Sequence, residues 1–304
     1  MIHDILILGA GPAGLAAGLY AGRGNMDTLI FERTTVGGQI SLTNDVENYP
    51  GFPDGAGGQE LADLFLKQAE KFGAKLVNQT VNEISKSDHT FRVSGPGGQW
   101  DSKALIFACG ADPRRLEIPG EREFTGRGVS YCATCDAFFF RGKHVMVVGG
   151  GDAAVEESLF LTKFAETVTI VHRRDQLRAS KILQDRAFNH EKISFRWDTV
   201  LTEICGESIV THVKARNVKT EQVEEFPIDG VFVFVGHIPN TGLVKDLVEL
   251  DEHGLIRVNE YMESSLPGLF ACGDCRSGTV RQMVQAAGDG AAAAIAAIKY
   301  VDSL

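Results

Sequence analysis

A short apolar strand, a glycine turn and a helix follow one another twice in this chain, and that succession restricts the fold more than any other feature. Ile5-Leu6-Ile7-Leu8 is an unbroken apolar run, as a strand buried on both faces of a parallel sheet requires. Gly9-Ala10-Gly11-Pro12-Ala13-Gly14 follows at once, and residues 15–21 read as a helix. This is G-x-G-x-x-G in its strand–turn–helix context. The glycines allow a tight turn and let the backbone approach a pyrophosphate seated on the helix N-terminus. Val145-Met146-Val147-Val148 opens the second copy, Gly149-Gly150-Gly151-Asp152-Ala153-Ala154 is G-x-G-x-x-A, and a helix follows from Val155. The two copies predict an α/β protein with two Rossmann-like dinucleotide-binding domains of three-layer ββα build. A glycine-rich turn without a ligand is the competing reading of either copy alone.

The copies differ where each would meet an adenosine. In the first, a strand over 28–31 ends at Glu32, whose carboxylate can accept hydrogen bonds from ribose hydroxyls. Gly9 matches Gly149, an offset of 140 residues, and the same offset carries Glu32 onto His172. The acid is replaced by His172-Arg173-Arg174-Asp175-Gln176-Leu177-Arg178. A carboxylate repels a ribose 2′-phosphate, whereas arginines bind one through charge-assisted hydrogen bonds. The first site is therefore expected to take FAD or NAD. The second, built on Gly149, Gly151, Asp152, Ala153 and Ala154 with His172, Arg173, Arg174 and Arg178, is expected to take NADP(H). A solvated helix start is the alternative for the arginines.

Between the copies lies Cys132-Ala133-Thr134-Cys135-Asp136. Two cysteines at this spacing can close a small, reducible disulfide and relay two electrons. A carboxylate beside them raises a thiol's pKa, so Asp136 suits a proton donor to a departing thiolate better than an activator. Half a zinc site and two buried structural cysteines are the alternatives. A zinc site needs a second ligand pair, and no well-spaced one stands out. Six cysteines in 304 residues are too few for a secreted disulfide scaffold, which favours a catalytic or redox-sensing pair.

The rest of the chain supplies loops around these motifs. Gly38, Gln39, Thr43 and Asn48 lie in turn-rich stretches and offer polar groups to a flavin or its ribityl chain. Residues 59–72 read as an amphipathic helix, and 75–107 as strands with a hairpin turn at Gly95-Pro96-Gly97-Gly98. The strand end Phe107-Ala108-Cys109-Gly110-Ala111 is expected to abut the first cofactor, and Asp112-Pro113-Arg114 is a first linker. A helix is expected after Arg178, running to about Asn189, then strands over 194–197, 209–215, 226–228 and 229–236. Gly236 opens a second linker that runs to Thr241. Gly273-Asp274 at a further strand end can present a carboxylate to cofactor hydroxyls. A small-residue helix over 281–300 follows, and its start at Arg281-Gln282 could stabilise an anionic reduced flavin through the helix dipole. Cys272 and Cys275 read as buried thiols, Cys109 and Cys205 as small core hydrophobes. The expected domains are 1–113 with 242–304 for FAD, and an inserted 114–241 for NADPH that also carries the cysteine pair.

The net charge of −10 argues against nucleic acid or an anionic membrane as a partner. The alanine-rich segment 291–298 is too short to span a bilayer. Met1-Ile2-His3-Asp4 leads straight into a strand, so no signal peptide and a cytoplasmic location are expected.

Together and in this order, the motifs resemble the low-molecular-weight thioredoxin reductases of bacteria and archaea. The resemblance rests on both glycine turns, Gly37-Gly38-Gln39, Cys132 to Asp136, His172 to Arg178, and Gly273-Asp274 with Arg281-Gln282. It implies FAD held by both chain ends, Val81 and Gly110 among the contacts, and NADPH held by the middle, Gly236 included. It implies that Cys135 faces the flavin, Cys132 attacks the thioredoxin disulfide and Asp136 supplies the proton. Arg127, Phe138 and Phe139 would meet thioredoxin, and the protein would be a homodimer. Ala137 stands where many members have glycine, and Cys109, Cys272 and Cys275 lie outside the family pattern. Both the nicotinamide and the disulfide must reach one flavin, so a rotation of the middle domain on its linkers is expected. A different thiol acceptor, such as a glutaredoxin-like protein, and a non-catalytic redox sensor are the rival readings.

Overall fold

The computed structural model describes residues 1–43 and 46–304. They form two compact units: one from both chain ends, Met1–Asp112 with Ile238–Leu304, and one from the middle, Pro113–His237.

The first unit opens with β1 (Ile2–Leu8), α1 (Pro12–Arg23), β2 (Thr28–Glu32), α2 (Gly58–Lys71), β3 (Lys75–Asn78), β4 (Glu83–Ser87), β5 (Thr90–Gly95) and β6 (Gly98–Phe107). The chain leaves through β7 (Ala111–Pro113). The middle unit carries β8 (Val129–Ser130), α3 (Ala133–Asp136), β9 (His144–Gly149), α4 (Asp152–Leu161), β10 (Thr167–Val171), α5 (Lys181–Phe188) and β11 (Ile193–Arg196). It continues with β12 (Thr199–Gly206), β13 (Val210–Asn217), β14 (Val223–Pro227) and β15 (Gly230–Phe234). The chain returns through β16 (His237–Pro239), which pairs with β7, and ends with β17 (Leu269–Ala271) and α6 (Met283–Asp302).

In the first unit the sheet runs β3-β2-β1-β6-β5-β4, with β17 also paired to β6. The strands β3, β2, β1, β6 and β17 are parallel, and β4 to β6 form an antiparallel meander. Ile5 and Ile7 of β1 pack on the helical side with Leu15, Ala17, Ala293 and Ala297. Leu6 and Leu8 pack on the other side with Phe91, Phe107, Val244 and Ile256. Both faces are covered, which is why the strand is apolar without alternation. The small residues of α6 let it close on α1: a Cβ on Gly290 would lie 2.0 Å from the Ala13 carbonyl oxygen.

The middle unit has three layers. A parallel sheet of order β11-β10-β9-β15-β8 is covered by α4 and α5 on one face. The antiparallel sheet β12-β13-β14 covers the other, with Leu201, Val213 and Ala215 against Met146, Val148 and Val231. Alternate residues of β9 thus face the two layers.

Three local expectations are corrected. α5 begins at Lys181 rather than directly after Arg178, because the Arg178 and Ala179 N–H groups donate to the Gly150 carbonyl (2.6 and 3.2 Å) and hold the arginine stretch as a loop. α6 begins at Met283, since Arg281 has φ +53° and its N–H donates to the Thr279 hydroxyl at 3.1 Å. Cys205 is no core residue: it is half-buried on β12, a strand the sequence reading missed, opposite His212.

Candidate active site

The first glycine turn joins β1 to α1. Gly11 caps the helix and Pro12 begins it, where a missing N–H costs nothing. Gly9 has φ +103°, and a Cβ there would lie 2.4 Å from the Ala108 carbonyl oxygen; one on Gly14 would lie 1.8 Å from that of Gly9. Those two glycines are required by packing. Gly11 is different: its φ is an ordinary −76°, and a Cβ would meet nothing nearer than the Gly37 oxygen at 3.9 Å. Packing within the chain does not require a glycine at position 11. Ala13 packs in the core beneath it.

Around this turn the first unit gathers its other candidates. One Glu32 oxygen accepts the Ala10 N–H (3.0 Å) and the other the N–H groups of Arg33 and Thr34 (2.9 and 3.0 Å), so the carboxylate is fixed beside the glycines. The Gly37 N–H donates to the Ala10 carbonyl at 2.8 Å, which brings up Gly38. The Gln39 amide donates to Asp112 at 2.6 Å. Thr43 closes the 3-10 turn Gly38–Leu42. Asn48 donates to Gln282 at 3.2 Å across 234 residues of sequence. Val81 packs on the core layer that contains Phe31. Gly110, φ +64°, has open space where a Cβ would be, and its carbonyl accepts the Asn240 N–H at 3.0 Å. Gly273, φ +74°, approaches Ala13, since a Cβ there would lie 3.0 Å from the alanine methyl. Asp274 accepts from Thr279 at 3.4 Å. Burial pushes its carboxyl up, and the Arg281 guanidinium opposes the shift.

In the middle unit the arginine loop wraps the second glycine turn. Besides the bonds to Gly150, the Ser180 N–H donates to Asp152 at 2.6 Å, and the His172 N–H donates to the Arg196 carbonyl at 2.9 Å. Gly149 is a packing glycine, whose Cβ would meet Ala154 at 2.5 Å. Gly151 and Gly236 have open space instead. Ala153 is exposed on the first turn of α4. His172 is buried, and burial first, then Arg178, Arg173 and Arg174, pushes its pKa down, so it is neutral near pH 7. Arg173, Arg174 and Arg178 are exposed and make no ion pair with a carboxylate among the described residues. A doubly charged phosphate fits such a set.

The redox turn is α3. Cys132 and Cys135 form a disulfide with Cα atoms 5.3 Å apart. Asp136 accepts the Ser130 hydroxyl at 2.5 Å. Burial raises the Asp136 carboxyl pKa, and the Ser130 hydrogen bond partly offsets the rise. A carboxyl so shifted can carry a proton closer to neutral pH. Phe138 and Phe139 are exposed beside the turn. Cys272 and Cys275 are buried free thiols, and burial pushes Cys275 up to about 12, which suppresses its thiolate.

The sequence reading missed three supporting groups. Ser130 is one. The buried pair Arg276–Asp289 is another: Asp289 also accepts the Gly273 N–H at 3.2 Å, which steadies the turn that presents Asp274. The third is Glu121, buried and accepting the Tyr131 hydroxyl at 2.9 Å and the Leu116 and Glu117 N–H groups at 2.8 and 2.7 Å. It anchors the residue before Cys132. Only the Ser130-Tyr131 step next to the cysteines hinted at any of these.

Comparison with known proteins agrees with this geometry. The family described as pyridine nucleotide-disulphide oxidoreductase matches residues 3–290. The thioredoxin reductase of Peptoclostridium litorale is 47% identical over 309 residues, covering 100% of this chain and 98% of that protein. That of Bacillus subtilis is 45% identical over 304 residues, covering 100% and 96%. The crystal structure of thioredoxin reductase from Streptococcus pyogenes superposes with a TM-score of 0.96 at 47% identity, covering 100% of this chain and 99% of that one. The Lactococcus lactis thioredoxin reductase in its FR conformation gives 0.68 at 44% identity, covering 99% and 100%. Matched over its whole length, the chain belongs to the pyridine nucleotide-disulphide oxidoreductases, in their thioredoxin reductase branch.

Proposed function

We propose that this protein passes electrons from NADPH through FAD and the Cys132–Cys135 disulfide to a disulfide of thioredoxin or a thioredoxin-like protein. The observation that carries the reading is the bonded cysteine pair with Asp136 beside it, in a chain whose two glycine turns carry opposite charge at the adenosine end.

The residues present fit both cofactors. Open space at Gly11 and Gly110 suits FAD, with Gly9, Pro12, Ala13, Gly14, Glu32, Gly38, Gln39, Thr43, Asn48, Val81, Gly273, Asp274, Arg281 and Gln282 around it. Open space at Gly151 and Gly236 and the three arginines suit NADPH, with Gly149, Asp152, Ala153, Ala154 and His172. The binding domains are 1–113 with 242–304, and 114–241.

The bound flavin supplies two-electron chemistry between NADPH and the cysteine pair. When an electron pair enters the Cys132–Cys135 bond, the bond breaks and the departing thiolate takes the proton of Asp136. Cys132 gives up that proton as it attacks the partner's disulfide, forming a mixed disulfide and releasing one partner thiolate, which takes up a proton. Cys135 attacks Cys132, re-forms the original bond and frees the second thiolate. Exposed Phe138 and Phe139 offer the partner apolar contacts, and exposed Arg127 a basic one.

The middle domain alternates between two rotational states on its linkers. The Lactococcus lactis relative was solved in what is described as an FR conformation, which supports distinct states within the family. The working form is a homodimer in the cytoplasm, in line with the family resemblance; sedimentation of the holoprotein tests the first point.

The deciding experiment is NADPH-dependent reduction of a panel of thioredoxin-like proteins by the flavin-loaded protein. Steady turnover with at least one is expected. A single stoichiometric reduction without turnover would reject the enzyme reading in favour of a sensor.

A further inference from the structure

We propose that Ser130 is a positioning residue for proton transfer at the redox turn, its hydroxyl holding Asp136 in place beside Cys132. The proposal rests on the assignment of Asp136 as proton donor. Ser130 is the last residue of β8, buried to 4% exposure, so water cannot readily replace its hydroxyl. Its oxygen accepts the Cys132 N–H at 3.1 Å. Its single proton has two acceptors in range, Asp136 Oδ2 at 2.5 Å and the Cys132 carbonyl at 3.2 Å. The shorter contact, to a carboxyl, takes the proton. One side chain thus ties the backbone of the attacking cysteine to the proton donor.

The tie has a chemical consequence. Burial favours the neutral form of Asp136, and the Ser130 hydrogen bond favours the carboxylate. Loss of the hydrogen bond would move the balance further toward the neutral acid; loss of burial would move it toward the carboxylate. When the cysteine bond accepts an electron pair and breaks, the proton moves from Asp136 to the departing sulfur. The new carboxylate is left with the Ser130 O–H as its donor, and solvent later returns the proton. Other charges do not account for the balance. α4, packed on the turn, carries Asp152, Glu156 and Glu157, and the 3-10 turn Ala137–Phe140 carries no titratable group. Arg141 beyond it lies over Phe138, and the Tyr131 hydroxyl turns away to Glu121. Burial and the Ser130 hydroxyl are the two influences on Asp136.

The test is a titration of Asp136 itself in holoprotein labelled with carboxyl-13C aspartate, the signal assigned by its loss in Asp136→Asn. Ser130→Ala should raise the midpoint by about one pH unit, and the alkaline limb of the turnover profile should move with it. Ser130→Thr, which keeps the hydroxyl, should restore both. A Ser130→Ala midpoint equal to wild type, or a Ser130→Thr midpoint shifted like that of alanine, overturns the proposal. Should Ser130→Ala not fold, Ser130→Gly is read in the same way. A protein that titrates as described yet turns over no thioredoxin would count against the proposed function and leave the role of Ser130 intact.

Discussion

Arg276 and Asp289 face each other through two parallel hydrogen bonds of 2.7 Å, with side chains only 11% and 7% exposed. The pair lies under the turn that presents Asp274, because Asp289 also accepts the Gly273 N–H. The stability it adds matters less than the damage done when one partner is removed. A buried ion left alone costs about 3–5 kcal/mol, whereas replacing both partners with apolar groups is often neutral. Asp289→Ala is therefore expected to lower the unfolding midpoint sharply and to reduce the flavin-to-protein ratio. The double variant Arg276→Met with Asp289→Leu should recover stability more fully than flavin content. Thermal unfolding and flavin absorbance of the purified protein check both. Unchanged flavin content in Asp289→Ala would show that the pair does not steady the turn.

The two kinds of glycine in the first turn separate folding from binding. Gly14→Ala drives a methyl to within 1.8 Å of a backbone oxygen, and backbone cannot step aside as a side chain can. Little soluble protein is expected. Gly11→Ala meets nothing closer than 3.9 Å and has an allowed backbone conformation. It should fold with normal secondary structure yet bind FAD on the order of tenfold or more weakly. Circular dichroism with flavin titration distinguishes the cases. Normal FAD affinity in Gly11→Ala would mean that the open space is not where the pyrophosphate lies.

At the second turn the prediction concerns a ratio. Arg173→Ala with Arg174→Ala should raise the KM for NADPH by about a hundredfold or more, since each removes a charge-assisted hydrogen bond worth about 1.5–3 kcal/mol. The KM for NADH, which has no 2′-phosphate, should change little. An unaltered ratio of the two would undo the assignment of the arginine loop. Rising salt should weaken NADPH binding to the wild type more than to the variant, because the guanidinium groups are exposed.

Sequence made the two nucleotide turns legible because each is a local event: strand, turn and helix follow within about twenty residues, and the contact that requires Gly14, with the Gly9 carbonyl, falls inside that span, whereas the contacts of Gly9 with Ala108 and of Gly149 with Phe234 come from residues distant in the chain. The exchange of Glu32 for His172 was readable from the offset alone. What escaped depends on contacts distant in sequence. The arginine stretch looks like the start of a helix until its N–H groups are seen bonded to Gly150. Arg281 looks helical until Thr279 and Asp274 draw it into a left-handed turn. Arg276 and Asp289 are separated by a loop and a helix turn whose geometry no pattern of residue types specifies. Ser130 was printed two residues before the first cysteine, but its importance lies in the return of Asp136 across α3, which only the fold provides.

The last prediction concerns how stability depends on pH. Asp136 has a folded-state pKa raised above the ordinary 3.8, with burial the larger cause. Below pH 3.8 the carboxyl is protonated in both the folded and the unfolded chain and makes no difference. As pH rises past that value the unfolded chain ionises first, while the folded chain holds its proton until its higher pKa is passed. Stability is therefore lost across that window and stays lower at neutral pH. Asp136→Asn cannot ionise and still offers Ser130 an acceptor. In the oxidised protein it should unfold at a higher temperature than wild type at pH 8, with the advantage shrinking steadily as pH is lowered toward 4. Thermal scans across that range check it. An advantage of the same size at every pH would mean that Asp136 carries no buried-charge penalty, and the source of its proton at neutral pH would then have to be sought elsewhere.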